Sequence, residues 1–117
     1  NITTGKSNTV LGSEAGTSLT TASQSVCIGR TAGNTISTGN QNIAVGFGAM
    51  SNNTVTGDNN ISVGTNAGDN LTSGKLNIAI GYIAADAITT GQQNVALGFE
   101  ALSTATTVTG ATKRSVH

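Results

Sequence analysis

Short apolar stretches recur along the chain with one alternation. Asn42-Ile43-Ala44-Val45, Asn77-Ile78-Ala79-Ile80 and Asn94-Val95-Ala96-Leu97 each set large apolar side chains two residues apart, with a small residue between them and a glycine behind. A period of two is the pattern of a strand. A second short strand, such as Leu71-Thr72-Ser73 or Ile88-Thr89-Thr90, precedes a glycine turn. No 3.6-residue apolar stripe occurs, and glycine interrupts the chain too often for helices to form.

The two strand types alternate because the sequence repeats. Units run over 6–22, 23–39, 40–57, 58–74, 75–91 and 92–110; four are equal in length, the unit at 40–57 is one residue longer, and the unit at 92–110 is two residues longer. The added residues fall between the alanine after the first glycine and the closing Val-Thr-Gly, as a lengthened loop would. Two positions are constant across the units: Gly12, Gly29, Gly46, Gly64, Gly81 and Gly98, then Ala15, Ala32, Ala49, Ala67, Ala84 and Ala101. A recurring glycine predicts a corner with positive φ, or one where a Cβ would strike the next chain; a recurring alanine predicts a tight slot. Residues 111–117 depart from the pattern and are expected to form an exit tail.

A 17-residue unit cannot bury its apolar face alone, so the units must stack as rungs. The expected fold is all-β: a parallel β-solenoid or β-roll, about 29 Å long for six rungs spaced about 4.8 Å apart. Stacking brings Asn8, Asn42, Asn60, Asn77 and Asn94 into an amide ladder, with Ser25 replacing one member. Thr21, Thr38, Thr56, Ser73, Thr90 and Thr109 form a hydroxyl ladder in the same way. A coil this thin struggles to offset about 1–2 kcal/mol of backbone entropy per residue, so several chains are expected to share the core. The small strand face, with Cys27, Ala44, Ser62, Ala79 and Ala96, is expected to pack against those partner chains.

Composition sharpens this picture. Thr, Gly, Ala, Asn and Ser make up 74 of the 117 residues, Leu, Ile, Val and Phe only 25, and five Lys/Arg balance five Asp/Glu. A neutral, weakly charged chain of this kind stacks regularly or aggregates; it lacks the net charge that keeps disordered chains expanded. Nucleic acid is not an expected partner, because only Lys113 and Arg114 adjoin. No apolar run reaches the length of a membrane span, so no membrane insertion is expected. The chain opens on Asn1 without a methionine, and a segment of a longer polypeptide is expected.

The recurring core, as in Asn60-Ile61-Ser62-Val63-Gly64 through Ala67-Gly68, with its Thr-Thr-Gly links, resembles two related groups over residues 1–110. These are the heads of trimeric autotransporter adhesins and the repetitive shafts of bacteriophage and viral tail-fibre proteins. The long links are more similar to the fibre group, since adhesin heads usually have shorter units. The resemblance implies a left-handed parallel β-roll assembled as a homotrimer. It would lie on a virion tail fibre or an extracellular cell surface, flanked by further fibre domains. Its expected role is structural, in host attachment, with a host-surface glycan or protein as a further partner. The alternative is a bacterial adhesin head that binds a glycan or matrix ligand directly.

Little in the chain carries catalytic chemistry, and no enzyme activity or cofactor is expected. Charges such as Lys6, Glu14, Arg30, Asp58, Asp69, Lys75, Asp86 and Glu100 fall at unit openings and turns, read as solvated corners. Cys27 and His117 are too few for a zinc site, and the Gly/Asp nonapeptides of calcium-binding rolls are absent, so no metal is expected. Cys27 replaces Ala44 and Ala79 of other units, which predicts a buried, inert thiol. The chain matches the apolar-Gly-x-x-Ala element of hexapeptide acyltransferases only once per unit and has no internal histidine. The Thr ladder raises a remote ice-binding alternative, but Leu19, Ile36, Leu71 and Ile88, two residues earlier, leave only one outward rank. The Asn-x-Ser/Thr triplets at Asn1, Asn52, Asn60 and Asn70 are expected by chance in this composition.

All three aromatics, Phe47, Tyr82 and Phe99, directly follow the recurring glycine and so share one longitudinal line with Ser13, Arg30 and Thr65. That line is the candidate ligand site. It either seals the gap between protomers, the favoured reading, or stacks on sugar rings. The lengthened loops at 51–54 and 103–106 are further candidates for ligand contact.

Overall fold

A computed structural model describes residues 4–104, 109–110 and 112–114. Seven three-residue strands form one parallel sheet in chain order: β1 (Thr9–Leu11), β2 (Val26–Ile28), β3 (Ile43–Val45), β4 (Ile61–Val63), β5 (Ile78–Ile80), β6 (Val95–Leu97) and β7 (Thr112–Arg114). Partners are offset by one repeat, as in Val26↔Ile43, Ile61↔Ile78 and Val95↔Thr112. The chain is therefore an all-β parallel solenoid with one sequence unit per coil and no helix among the described residues. It measures 41 × 23 × 18 Å. The sheet continues past residue 110, since β7 pairs with β6 in the same register.

Each coil turns back on itself through two successive β-turns. The carbonyl of the recurring glycine accepts the N–H three residues on, as in Gly29 from Ala32 and Gly81 from Ala84. A second turn then closes from Gly33 to Ile36 and from Ala85 to Ile88. Between the turns, the carbonyl of the constant alanine accepts an N–H from the preceding coil, as in Gly33 to Ala49 at 2.8 Å and Gly68 to Ala84 at 2.9 Å. At the first corner the backbones of neighbouring coils lie directly over one another. Gly64 has φ +129°, and a Cβ there would stand 2.6 Å from the Gly81 carbonyl oxygen.

The sheet's two faces are assigned opposite to the sequence expectation. Cys27, Ala44, Ser62, Ala79 and Ala96 point into the coil and are fully buried, while the larger flanking residues are half-buried or exposed. The reason is thickness. The opposite wall comes so close that a Cβ on Gly33 would collide with Cys27 Sγ, and one on Gly68 with Ser62 Oγ. Only a small side chain fits there. One large apolar group from the far wall of each of the first five coils, Leu19, Ile36, Val55, Leu71 or Ile88, fills the remaining interior with the constant alanines, and Met50 joins Val55 in the coil at 40–57. The outward residues are mostly the β-branched Ile and Val that favour a pleated strand, with Leu11 and Leu97 among them.

Asparagines sew the coils together. Asn42, Asn60 and Asn77 donate Nδ2–H across their own coils to the carbonyls of Gly57, Gly74 and Gly91, each at 2.8 Å. Their Oδ1 atoms accept the backbone N–H of the next ladder member: Asn60 at 2.9 Å, Asn77 at 3.1 Å and Asn94 at 3.0 Å. Ser25 keeps the relay with its hydroxyl, which accepts Asn42 N–H at 3.3 Å. The threonine row, by contrast, is exposed.

Asn60→Ala orphans the Asn77 N–H and the Gly74 carbonyl, at about 1–3 kcal/mol for each buried polar group, so a loss of about 3 kcal/mol is expected in urea unfolding. Gly64→Ala combines a left-handed φ with the clash against Gly81. It is expected to destabilise by at least about 2 kcal/mol in the same assay, whereas Thr21→Ala on the exposed row leaves the midpoint nearly unchanged.

Candidate functional site

The outer side of the sheet carries three longitudinal rows. The first runs Val26, Ile43, Ile61, Ile78 and Val95, and the second Ile28, Val45, Val63, Ile80 and Leu97, each advancing one coil per step. The third lies just beyond the glycine corner and runs Arg30, Phe47, Thr65, Tyr82 and Phe99. Strand spacing of about 4.8 Å and pleat spacing of about 7 Å give this face on the order of 500 Å² in plan, the upper end of what a monomer displays. Arg30 is its one charged member in these five coils.

The aromatic row is ordered by ring contacts. Tyr82 and Phe99 stack with centroids 5.3 Å apart and ring planes 11° from parallel. The Arg30 guanidinium carbon lies 5.8 Å from the Phe47 centroid, a cation–π contact. Even so, Phe47, Tyr82 and Phe99 remain 50%, 47% and 45% exposed. Thr65 separates the two aromatic groups, and no ring stands at its level.

Sequence reasoning placed the aromatics on one line but did not find the apolar rows beside them. The signal was the large-small-large triplet itself, whose large members are too bulky for a thin coil. The carboxylates expected as solvated corners include Asp69 and Asp86, which occupy equivalent turn positions in successive units and are both half-buried. Asp69 Oδ1 accepts bonds from the Ser51 N–H at 3.3 Å and hydroxyl at 3.0 Å. Asp86 Oδ1 is buried with no hydrogen-bond partner. Burial raises the Asp86 pKa above its ordinary value, and the nearby charges of Asp69 and Glu100 add to the rise.

The Cys27 thiol is buried, and desolvation pushes its pKa up to about 11, which leaves it protonated and a poor nucleophile at neutral pH. Among the described residues no group of three His, Cys, Asp or Glu side chains could hold a metal ion. The loop at 51–54 is tied to the next coil through Asn52 and Asn53, whose amides donate to Asn70. Asn1, residues 105–106 of the second candidate loop, and His117 lie outside the described residues. No protein-family model, curated protein or solved structure matches the chain.

A carboxyl whose folded pKa is raised holds its proton more tightly in the folded state than in the unfolded one. Its contribution to stability is complete below the unfolded pKa and declines as pH rises through the folded value. Asp86→Asn is therefore expected to raise the melting temperature at pH 7 and to reduce the stabilisation gained between pH 7 and pH 4. Circular dichroism melts at the two pH values measure both.

Proposed function

We propose that the chain is a structural segment of a trimeric attachment fibre, of the kind found in virion tail fibres. Three copies pack their outer sheet faces together into one left-handed shaft. The observation that carries this reading is the pair of apolar strand rows, Val26 to Val95 and Ile28 to Leu97, set on a coil whose own interior holds little more than one large side chain per turn. Burying apolar surface contributes roughly 25 cal/mol per Å², and the strand rows leave Ile80 and Leu97 exposed to water, with Val26, Ile43, Ile61 and Ile78 half-buried. Chains running in one direction along a shaft are related by an axis parallel to it. Three copies about that axis enclose the strand rows of every copy in one apolar prism.

The role is mechanical. A rod of this kind carries flanking fibre domains away from a virion or cell, and repeated display raises avidity for host glycans or proteins, because a second contact becomes intramolecular. A second reading is that of an adhesin head on a bacterial surface that contacts a glycan directly. The half-exposed aromatic row favours it, since stacking rings at the rim of the strand face are free to meet a sugar. Neither reading assigns a catalytic role, a cofactor, nucleic acid or membrane insertion to the chain.

Light scattering on residues 1–117 is expected to give three times the chain mass of 11.5 kDa, with a melting temperature that rises with concentration. Val63→Lys, in the middle of the second row, is expected to yield monomer. A wild-type chain that is monomeric and melts independently of concentration overturns the trimer.

A further inference from the structure

The aromatic row has a gap one ring wide. Tyr82 and Phe99 show how rings sit in it: one per coil, nearly parallel, 5.3 Å apart. Phe47 and Tyr82 are two coils apart, so at about 4.8 Å per coil their levels differ by about 9.6 Å. Between them the row holds only Thr65, whose side chain is too short to reach the plane of the rings. The outer side of Phe47 is covered by Arg30 and the outer side of Tyr82 by Phe99, while both rings remain about half exposed. Both contacts lie on the sides of these rings away from Thr65.

We propose that this gap takes a single pyranose ring of a surface glycan, sandwiched between Phe47 and Tyr82 over Thr65. The proposal rests on the attachment reading above and narrows its ligand from a glycan to one sugar ring at one place. A ring centred in the gap lies about 4.8 Å from each wall, within the range of about 4.5–7 Å at which stacked rings attract. A pyranose suits the gap better than a flat arene, because it is thicker and carries C–H groups on both faces for the two aromatic walls. Its rim of hydroxyls needs hydrogen-bonding partners, and the Thr65 hydroxyl at the base supplies one, with the rest left to water. No carboxylate lies in the row to hold a cationic sugar, and its one cation, Arg30, is engaged with Phe47 on the side away from Thr65, so a neutral sugar is the class that fits.

Saturation-transfer NMR on the intact chain, with the methyl glycosides of glucose, galactose, mannose and N-acetylglucosamine at millimolar concentration, tests this. At least one sugar is expected to receive saturation at its ring C–H protons. Thr65→Phe, which completes the aromatic row, is expected to abolish the signal while leaving the mass by light scattering unchanged; Thr65→Ser, which keeps the gap and the hydroxyl, is expected to retain it. Silence from all four sugars, as when a side chain of a neighbouring copy fills the gap, overturns the slot. So does a signal that survives Thr65→Phe. A monomeric mass with the sugar signal intact sinks the trimer and leaves the slot standing, and a trimer with no signal does the reverse.

Discussion

The buried asparagines Asn42, Asn60 and Asn77 each bond in two directions, and the stacking of the coils rests on that relay. In each, the Nδ2–H reaches across to the glycine that ends the same turn, and the Oδ1 receives the main-chain N–H of the next turn. The first bond satisfies the glycine carbonyl at the end of the turn; without the second, the main chain between strands would meet the interior with an unmatched donor. Buried amides are costly when unpaired and are strengthened by a low-dielectric setting when paired, so a continuous relay of them fixes the stacking register. Ser25 marks the tolerance of that relay, since a hydroxyl accepts the next N–H at a longer 3.3 Å.

A turn closed this tightly has little interior. One leucine, isoleucine or valine per coil, with a few alanines and a single methionine, fills the space between the walls. Most of the remaining large apolar groups occupy the outer face, where the pleat sorts them into straight rows. The open apolar surface is thus a direct result of the closed one: the tighter the coil, the more of its hydrophobic content must be covered from outside. The same regularity orders the aromatics, because residues in equivalent positions have no option but to sit above one another.

The repeat, the strands, the glycine corners and the asparagine line are written in the residues, since stacking places equivalent residues in equivalent surroundings. The direction of the strand faces is not. Ile43-Ala44-Val45 defines two faces, but the choice between them depends on how near the far wall comes, and that is set by Gly33 and Gly68 from another part of the turn. Backbone strain is hidden in a similar way. Leu76 and Ile83 adopt φ of 60° and 59°, values that neither residue type advertises. Their equivalents one coil earlier, Asn59 and Asn66, do tolerate that conformation, so the hint lay in comparing units. Of the candidate site, the aromatic line was legible from spacing, but the stacking of Tyr82 on Phe99 and the space over Thr65 depend on ring orientation.

The one-unit offset between paired strands also bears on how such a gene can change. Because each coil bonds only to the coils beside it, unequal recombination that adds or removes one whole unit returns every strand to an equivalent partner and alters the rod by a single step of about 4.8 Å. A one-codon insertion within a strand has no such escape, as it turns the inner residues outward from that point on. The turn at 51–54 is where an added residue has been absorbed, with β3 and β4 pairing one position further apart along the chain than β2 and β3 or β4 and β5. Length is thus the property of this molecule most free to drift, in whole steps, while its cross-section stays fixed.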